Sequence, residues 1–356
     1  MNRRNFSHIG GRAAFTRTEA IAVVVVLTVL VALLIPALQT GRENARRLQC
    51  TNNLKQIAQA VQNYTEANKI FPPGTICSTS PIPPSNQYDV WGEAGQTGTG
   101  FHGTGFLLRL SYFLECDSSP KRWDYHYGVG GNAVPRSSFY KIGYANQDDP
   151  YVTFHLFYCS SRRNTVRPGD SVMLLSPSWT GGGTDYGGCA GRHAAFTLQT
   201  GYNLCDATMF YEPNYYPPPF IDKTDDTPTK RMGIFGRVNV STKPSEIVDG
   251  AKYTMMIGEL QRITDITPTS KDGWAIGGPA TLFTTGAMVH FDGKKLANVA
   301  SPKDGALSNN HFWGSPGSEH VGGANYGMAD GSVQFLSTSM SPEVFAKMGS
   351  MADTAK

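Results

Sequence analysis

The chain carries no Cys-x-x-Cys, no His-Glu-x-x-His, no Gly-x-Ser-x-Gly and no P-loop. The first absence argues against a zinc ribbon or a thioredoxin-type site. The others remove common signatures of zinc hydrolysis, serine acyl transfer and nucleotide hydrolysis. Charge is scarce, at 17% of residues, with a mild balance of +3. No basic stripe interleaved with aromatics occurs, so nothing makes a case for a nucleic-acid partner. No acidic run has the Asp-x-Asp-x-Asp-Gly order of an EF-type calcium loop. Only one long apolar run occurs, near the N-terminus. What abounds is glycine (39), proline (22) and tyrosine (16), the mark of a turn-rich, β-rich domain with long loops.

The apolar run extends from Ala20 to Leu38 and is broken only by Thr28 and Pro36. At a rise of about 1.5 Å per residue it makes roughly 28 Å of helix, close to a hydrocarbon core of about 30 Å. A single acid, Glu19, stands at its mouth. A carboxylate costs on the order of 2.5–3.5 kcal/mol at the bilayer centre and less near the edge, so the acid calls for a cation at its own depth. If the chain is cut between Ala14 and Phe15, the ammonium of Phe15 lies four residues before Glu19. Glu19 of one copy can then neutralise the amine of the next. Arg3, Arg4, Arg12 and Arg17 precede the span and hold the N-terminus in the cytoplasm by the positive-inside rule. Arg42, Arg46 and Arg47 follow it and weaken the asymmetry.

This N-terminus resembles the class III signal of type IV pilins and type II secretion pseudopilins. Phe15 stands where that family N-methylates its first mature residue, Glu19 at the fifth mature position used in docking, and Pro36 where a helix-bending proline is common. The resemblance implies cleavage and methylation by a prepilin peptidase, and assembly with itself or other pilin-like subunits. Ala14 replaces the usual glycine before the cut, and Arg17 and Thr18 replace apolar residues. The alternatives are a plain signal anchor and a cleaved secretory signal. A secretory core is about 7–15 residues with a small-x-small site after it, and this run is longer and passes straight into a polar helix.

From Ala37 to Asn68 there is one glycine, Gly41, and no proline. Ala45, Leu48, Leu54, Ile57, Ala58, Val61 and Tyr64 recur at helical spacing and predict an amphipathic helix. Phe71-Pro72-Pro73-Gly74 cannot continue it. The organisation expected is a leader at 1–14, a transmembrane helix at 15–38, its amphipathic continuation at 39–68, and a β-rich head at 69–356 ending in a hairpin at 320–336. The fold class expected is α+β.

Three blocks extend the resemblance. They are Glu43 to Ile57 with Phe71 to Gly74, Ser245 to Gly250 leading to Met256 to Glu259, and His320 followed after nine residues by Asp330-Gly331. In this order they resemble a large bacterial family, numbered fifteen fifty-nine among domains of unknown function. Its members join a prepilin-like N-terminus to an uncharacterised head. The resemblance implies a single-pass protein of the bacterial inner membrane with a periplasmic head, as a free-standing anchor or within an extracytoplasmic filament.

Candidate strands are 105–110, 151–158, 171–175, 193–198, 233–240, 253–257, 287–291, 324–329 and 332–336. Asp330-Gly331 joins the last two, because both central residues of a type I′ turn need positive φ. Gly181 to Gly191 reads as a flexible glycine-dense loop. The six cysteines, Cys50, Cys77, Cys116, Cys159, Cys189 and Cys205, all follow the span. An even count outside the cytoplasm permits disulfides, and sequence does not choose the pairing. Cys189 with Cys205 is the first pair to test, with Cys50 left free in mid-helix.

Chemistry is thin. Gly98 to Gly103 fits G-x-G-x-x-G but follows a polar run rather than a buried strand. His320 and Asp330, with His311, Glu319 and His290, are the candidates for a metal or acid–base cluster. The bland alternative leaves His320 satisfying local polar groups and Asp330 shaping a turn. Calcium, which some pseudopilin heads bind, has Asp222, Asp225 and Asp226, or Asp148 and Asp149, as candidate ligands. Glu259 and Arg262 read as an ion pair at a strand end. The leading expectation is a structural pilin- or pseudopilin-like subunit rather than an enzyme. The first alternative is an anchored ligand- or glycan-binding module using Trp179 to Tyr186 and Tyr211 to Phe220. The second is a hydrolase around His320 and Asp330.

Overall fold

The computed structural model describes residues 16–77, 90–96, 100, 102–114, 123–133, 154–163, 182–191, 232–260, 273–285, 289–291, 296–298 and 316–352. The architecture is α+β: a long N-terminal helix, apolar in its first part, followed by a sheet-containing head. Two compact units divide the chain, residues 1–45 and 46–356.

Helix α1 runs unbroken from Arg17 to Asn68. Its start is fixed by a reciprocal cap. The Thr16 N–H donates to Glu19 Oε2 (2.8 Å) and the Glu19 N–H donates to Thr16 Oγ1 (3.3 Å). This is the capping box that Thr-x-x-Glu encodes. From Ile21 to Leu38 the large apolar side chains are 49–68% exposed, with no cover among the described residues. Thr28 and Thr40 turn their hydroxyls back to the carbonyls of Val24 (2.7 Å) and Pro36 (3.0 Å), leaving the segment self-satisfied. By length and composition this stretch can cross a membrane. An N-terminal apolar helix of this kind serves as an anchor or as a signal sequence. The helix ends where Lys69 turns to φ +63°, its N–H donating to the Thr65 carbonyl (2.7 Å).

The second half of α1 buries Cys50, Leu54, Ile57, Ala58, Ala60, Val61 and Thr65. The apolar face therefore begins at Cys50. Ala45 and Leu48, expected on it, are exposed. This face lies on a five-stranded sheet of order β5-β3-β4-β8-β9. The strands are β3 (Tyr186–Cys189), β4 (Met255–Glu259), β5 (Leu282–Phe283), β8 (Gly323–Met328) and β9 (Val333–Ser337). All pairings are antiparallel except β3 with β5. Thr51 Oγ1 donates to Asn325 Oδ1 (3.1 Å) and Gln62 Nε2 to the Ala329 carbonyl (2.6 Å), which fixes helix against sheet. On the other face, Ala324 and Tyr326 of β8 pack with Phe283, Met255 and Phe345 of α5 (Pro342–Met348). Ala324 and Tyr326 on one side with Asn325 on the other is the two-residue period of a strand buried on both faces. Gly258 is required there, because a Cβ would stand 2.6 Å from the Tyr326 ring.

Smaller elements complete the head. β1 (Thr75–Ile76) pairs with β2 (Thr104–Gly105), and β6 (Val289–Phe291) pairs with β7 (Leu296–Asn298). Helices α2 (Val90–Gly95), α3 (Phe106–Leu110) and α4 (Val129–Ala133) are each five or six residues long.

Several sequence expectations are corrected. The strand expected at 105–110 is α3 beyond its first residue, since a short apolar run fits either period and here four of its five side chains are buried around one turn. The strand expected at 151–158 contains a 3-10 turn at His155–Phe157. Residues 233–240 form turns rather than a strand, with single bridges at Met232 just before them and at Val238 within them. The loop expected at 181–191 contains β3, inside the sheet and fully buried. The strand expected at 253–257 is present two residues later. The strands expected at 171–175 and 193–198 lie outside the described residues.

Candidate functional site

Four chain segments converge where the head half of α1 meets the sheet. α1 contributes Cys50, and the turn after the 3-10 helix contributes Cys159. The end of β4 contributes Glu259, and the residues before β8 contribute His320. All four are buried, and their Sγ, carboxylate and imidazole donor atoms lie within 4.8 Å of one another. Cys50 Sγ is 2.7 Å from Cys159 Sγ. His320 Nε2 is 3.6 Å from Cys159 Sγ and 3.5 Å from Glu259 Oε1.

The surroundings orient each group. Ser161 Oγ lies 3.2 Å from His320 Nδ1, which engages that nitrogen and leaves Nε2 facing the cysteines and Glu259. Asn325 donates from its backbone to Glu259 Oε2 (2.8 Å) and from its side chain to Oε1 (3.0 Å). Both carboxylate oxygens are thus fixed by one residue of the neighbouring strand. The Cys159 N–H donates to Asp185 Oδ2 (3.0 Å). Asp185 in turn accepts from the guanidinium groups of Arg162 and Arg163, a fully buried ion triad. The Tyr186 hydroxyl reaches the Cys50 carbonyl (3.4 Å), and burial pushes its phenol well above the ordinary range.

The two thiols are unequal. The hydrogen bond from Cys159 draws the Cys50 thiol down to about 4, against burial and with further help from His320 and Ser160. Cys159 moves strongly the other way, through the same hydrogen bond, burial and the nearby carboxylates of Glu259 and Asp185. Chemically, two soft sulfurs, one imidazole and one carboxylate can ligate a transition metal. The two sulfurs alone can form a disulfide.

Of the residues singled out from sequence, His320 enters this cluster and Asp330 does not. Asp330 sits in the exposed β8–β9 turn at the other end of β8, where Oδ1 accepts from the Ser332 N–H (2.9 Å) and hydroxyl (2.6 Å), and Gly331 has φ +85°. Glu319 is adjacent to His320 in the chain, and His290 lies in β6 of a separate two-stranded sheet. Glu259 is held by Asn325 and faces His320. Glu19 takes part in the cap of α1, and Pro36 lies inside that helix. Tyr186, counted in an aromatic surface loop, is buried. Ala14, Phe15, Cys116, Asp148, Asp149, Trp179, Cys205, 211–220, Asp222, Asp225, Asp226, Arg262 and His311 lie outside the described residues. Cys189 directs its thiol to the Gly349 carbonyl (3.4 Å). Sequence reasoning missed the association of Cys50, Cys159 and Glu259 with His320, because they precede it by 270, 161 and 61 residues and no local spacing joins them.

Residues 39–343 match the family described as "Protein of unknown function (DUF1559)". No functionally curated protein and no solved structure matches the chain. The match covers most of the chain, and the protein belongs to the DUF1559 family.

Proposed function

We propose that this DUF1559 protein is a pilin- or pseudopilin-like structural subunit held in the bacterial inner membrane by the apolar part of α1, with its head outside the cytoplasm. One observation carries the reading: the helix that could cross the bilayer and the helix that completes the head core are the same unbroken element, Arg17–Asn68. A cleaved signal has no use for such continuity, whereas a spine that links subunit to membrane requires it. The apolar part offers only side chains and self-bonded hydroxyls to its surroundings, which suits lipid or the equivalent helices of other subunits. Glu19 hydrogen-bonds the Thr16 N–H, but an amide satisfies a carboxylate without neutralising it. The charge still favours a cation, and the freed Phe15 amine of a neighbouring copy supplies one. The same reading includes processing by a prepilin peptidase, which would free that amine, and entry into a type IV pilus or type II secretion-like assembly.

Mass spectrometry of the N-terminal peptide from native protein tests this reading. A peptide beginning at N-methylated Phe15 supports processing. A peptide beginning at Met1 reduces the protein to an anchored head. Glu19→Ala inserts normally and loses crosslinked oligomers. Oligomers as abundant as in the unaltered protein refute the docking role.

A further inference from the structure

We propose that Cys50 and Cys159 are joined by an intramolecular disulfide that pins the spine helix to the head. The inference rests on the placement of the head outside the cytoplasm proposed above, where disulfides form and persist. Separation decides between the two chemistries open to the cluster. An ion held tetrahedrally at Zn–S distances of about 2.3 Å keeps its two sulfurs about 3.8 Å apart. Cys50 and Cys159 stand at 2.7 Å, well inside that spacing and inside van der Waals contact of two sulfurs. Their side chains already point at each other from separate elements, α1 and the turn after His155–Phe157.

The chemistry balances with an oxidised dithiol carrier as the electron acceptor. The Cys50 thiolate attacks one sulfur of the carrier disulfide, and one carrier thiolate leaves. The Cys159 sulfur, deprotonated by His320 Nε2 at 3.6 Å, then attacks Cys50 Sγ and expels the second carrier thiolate. Two electrons and two protons pass to the carrier, which ends as a dithiol. Both cysteines are buried in the finished fold, so exchange occurs while α1 is still settling onto the sheet. The bond closes a loop across a separation of 109 residues and ties the core half of α1 to the segment carrying the Asp185 triad. It thereby keeps the helix docked when force acts along the spine.

The test is a peptide map of full-length protein, acid-quenched in cells and denatured in excess alkylating reagent without reductant. The expected result is a linked pair of peptides containing Cys50 and Cys159 that separates on reduction. In Cys50→Ala the expected result is an alkylated Cys159, and if that variant fails to fold the unaltered protein still decides. Alkylation of both cysteines in the unaltered protein overturns the proposal. About one bound zinc per chain, released on chelation together with two alkylatable thiols, overturns it in favour of ligation by Cys50, Cys159, Glu259 and His320. Added protease on intact spheroplasts separates the two levels. Free thiols in a head that protease digests refute the disulfide alone, whereas a head shielded from protease refutes its placement as well.

Discussion

The two halves of α1 share one backbone and obey opposite rules of burial. From Ile21 to Leu38 every large apolar side chain is about half exposed or more, whichever way it faces. From Cys50 to Thr65 one face is sealed and the other is open, at helical spacing. The first half satisfies its polar atoms from within, through Thr28 and Thr40. The second half keeps the same back-bonding at Thr51 and Thr65 and adds bonds to the head, at Asn325 and Ala329. Helix formation alone is therefore indifferent to what surrounds it, and surroundings assign the role. Lipid is the medium in which the first half costs nothing, and the head core is the medium for the second.

Leucines of the same helix should break this symmetry most sharply. Leu54 is fully buried, and Leu54→Ala should cost about 2–5 kcal/mol of head stability in denaturant unfolding of the detergent-solubilised protein. Leu30→Ala, in the other half, should stay within about 0.5 kcal/mol. Equal costs at the two sites would mean that the halves are not differently solvated. Charge should invert the ranking. Leu30→Arg should oppose membrane insertion by about 2.5–3.5 kcal/mol, read as protein lost from the carbonate-washed membrane fraction, while Gln59→Arg on the exposed face of the second half should leave that fraction unchanged.

Smaller effects sharpen the account at the ends of the contrast. Thr16→Ala removes one partner of the capping box and should weaken the start of α1 by about 1 kcal/mol, seen as faster amide exchange confined to its first turn. In the head, Glu246 lies below the usual carboxylate range. Burial opposes that shift, but the Lys243 N–H and the Arg237 guanidinium outweigh it. A depressed folded value means that Glu246 contributes above its unfolded value of about 4.3, and the contribution fades as pH falls through the folded one. Glu246→Gln should therefore cost under about 1 kcal/mol near neutrality, allowing for solvent screening, and nothing at strongly acidic pH. A cost that persists in acid would assign the contact to packing.

Much of the spine was legible from sequence, because period and punctuation act locally. Pro72 and Pro73 stop a helix wherever it docks, and Asn68 is where α1 ends. The capping box is also written there, as Thr16-Arg17-Thr18-Glu19. Asp330-Gly331 announced a turn between alternating runs, and β8 and β9 flank it, but only Gly331 of the two has positive φ, so the turn is not the type I′ expected. The strand β3 was hidden because Tyr186-Gly-Gly-Cys189 has the composition of a loop. Its glycines serve close packing, since a Cβ on Gly188 would stand 2.5 Å from the Phe235 ring. The expected helical stripe began too early because Ala45 and Leu48 fit the period, yet both side chains are exposed. The site was the least legible part. His320 drew notice through its spacing to Asp330, but its neighbours come from α1, the turn at Cys159 and the end of β4, and only the sheet order brings them together.

Protease added to intact spheroplasts tests the two-solvent spine most directly, with the surviving membrane-bound peptide identified by mass. The account predicts that the head is digested and that a fragment spanning the apolar half of α1, through Leu38, remains in the membrane. A head released whole into the soluble fraction, with that apolar half cut away and absent from the membrane, would contradict it.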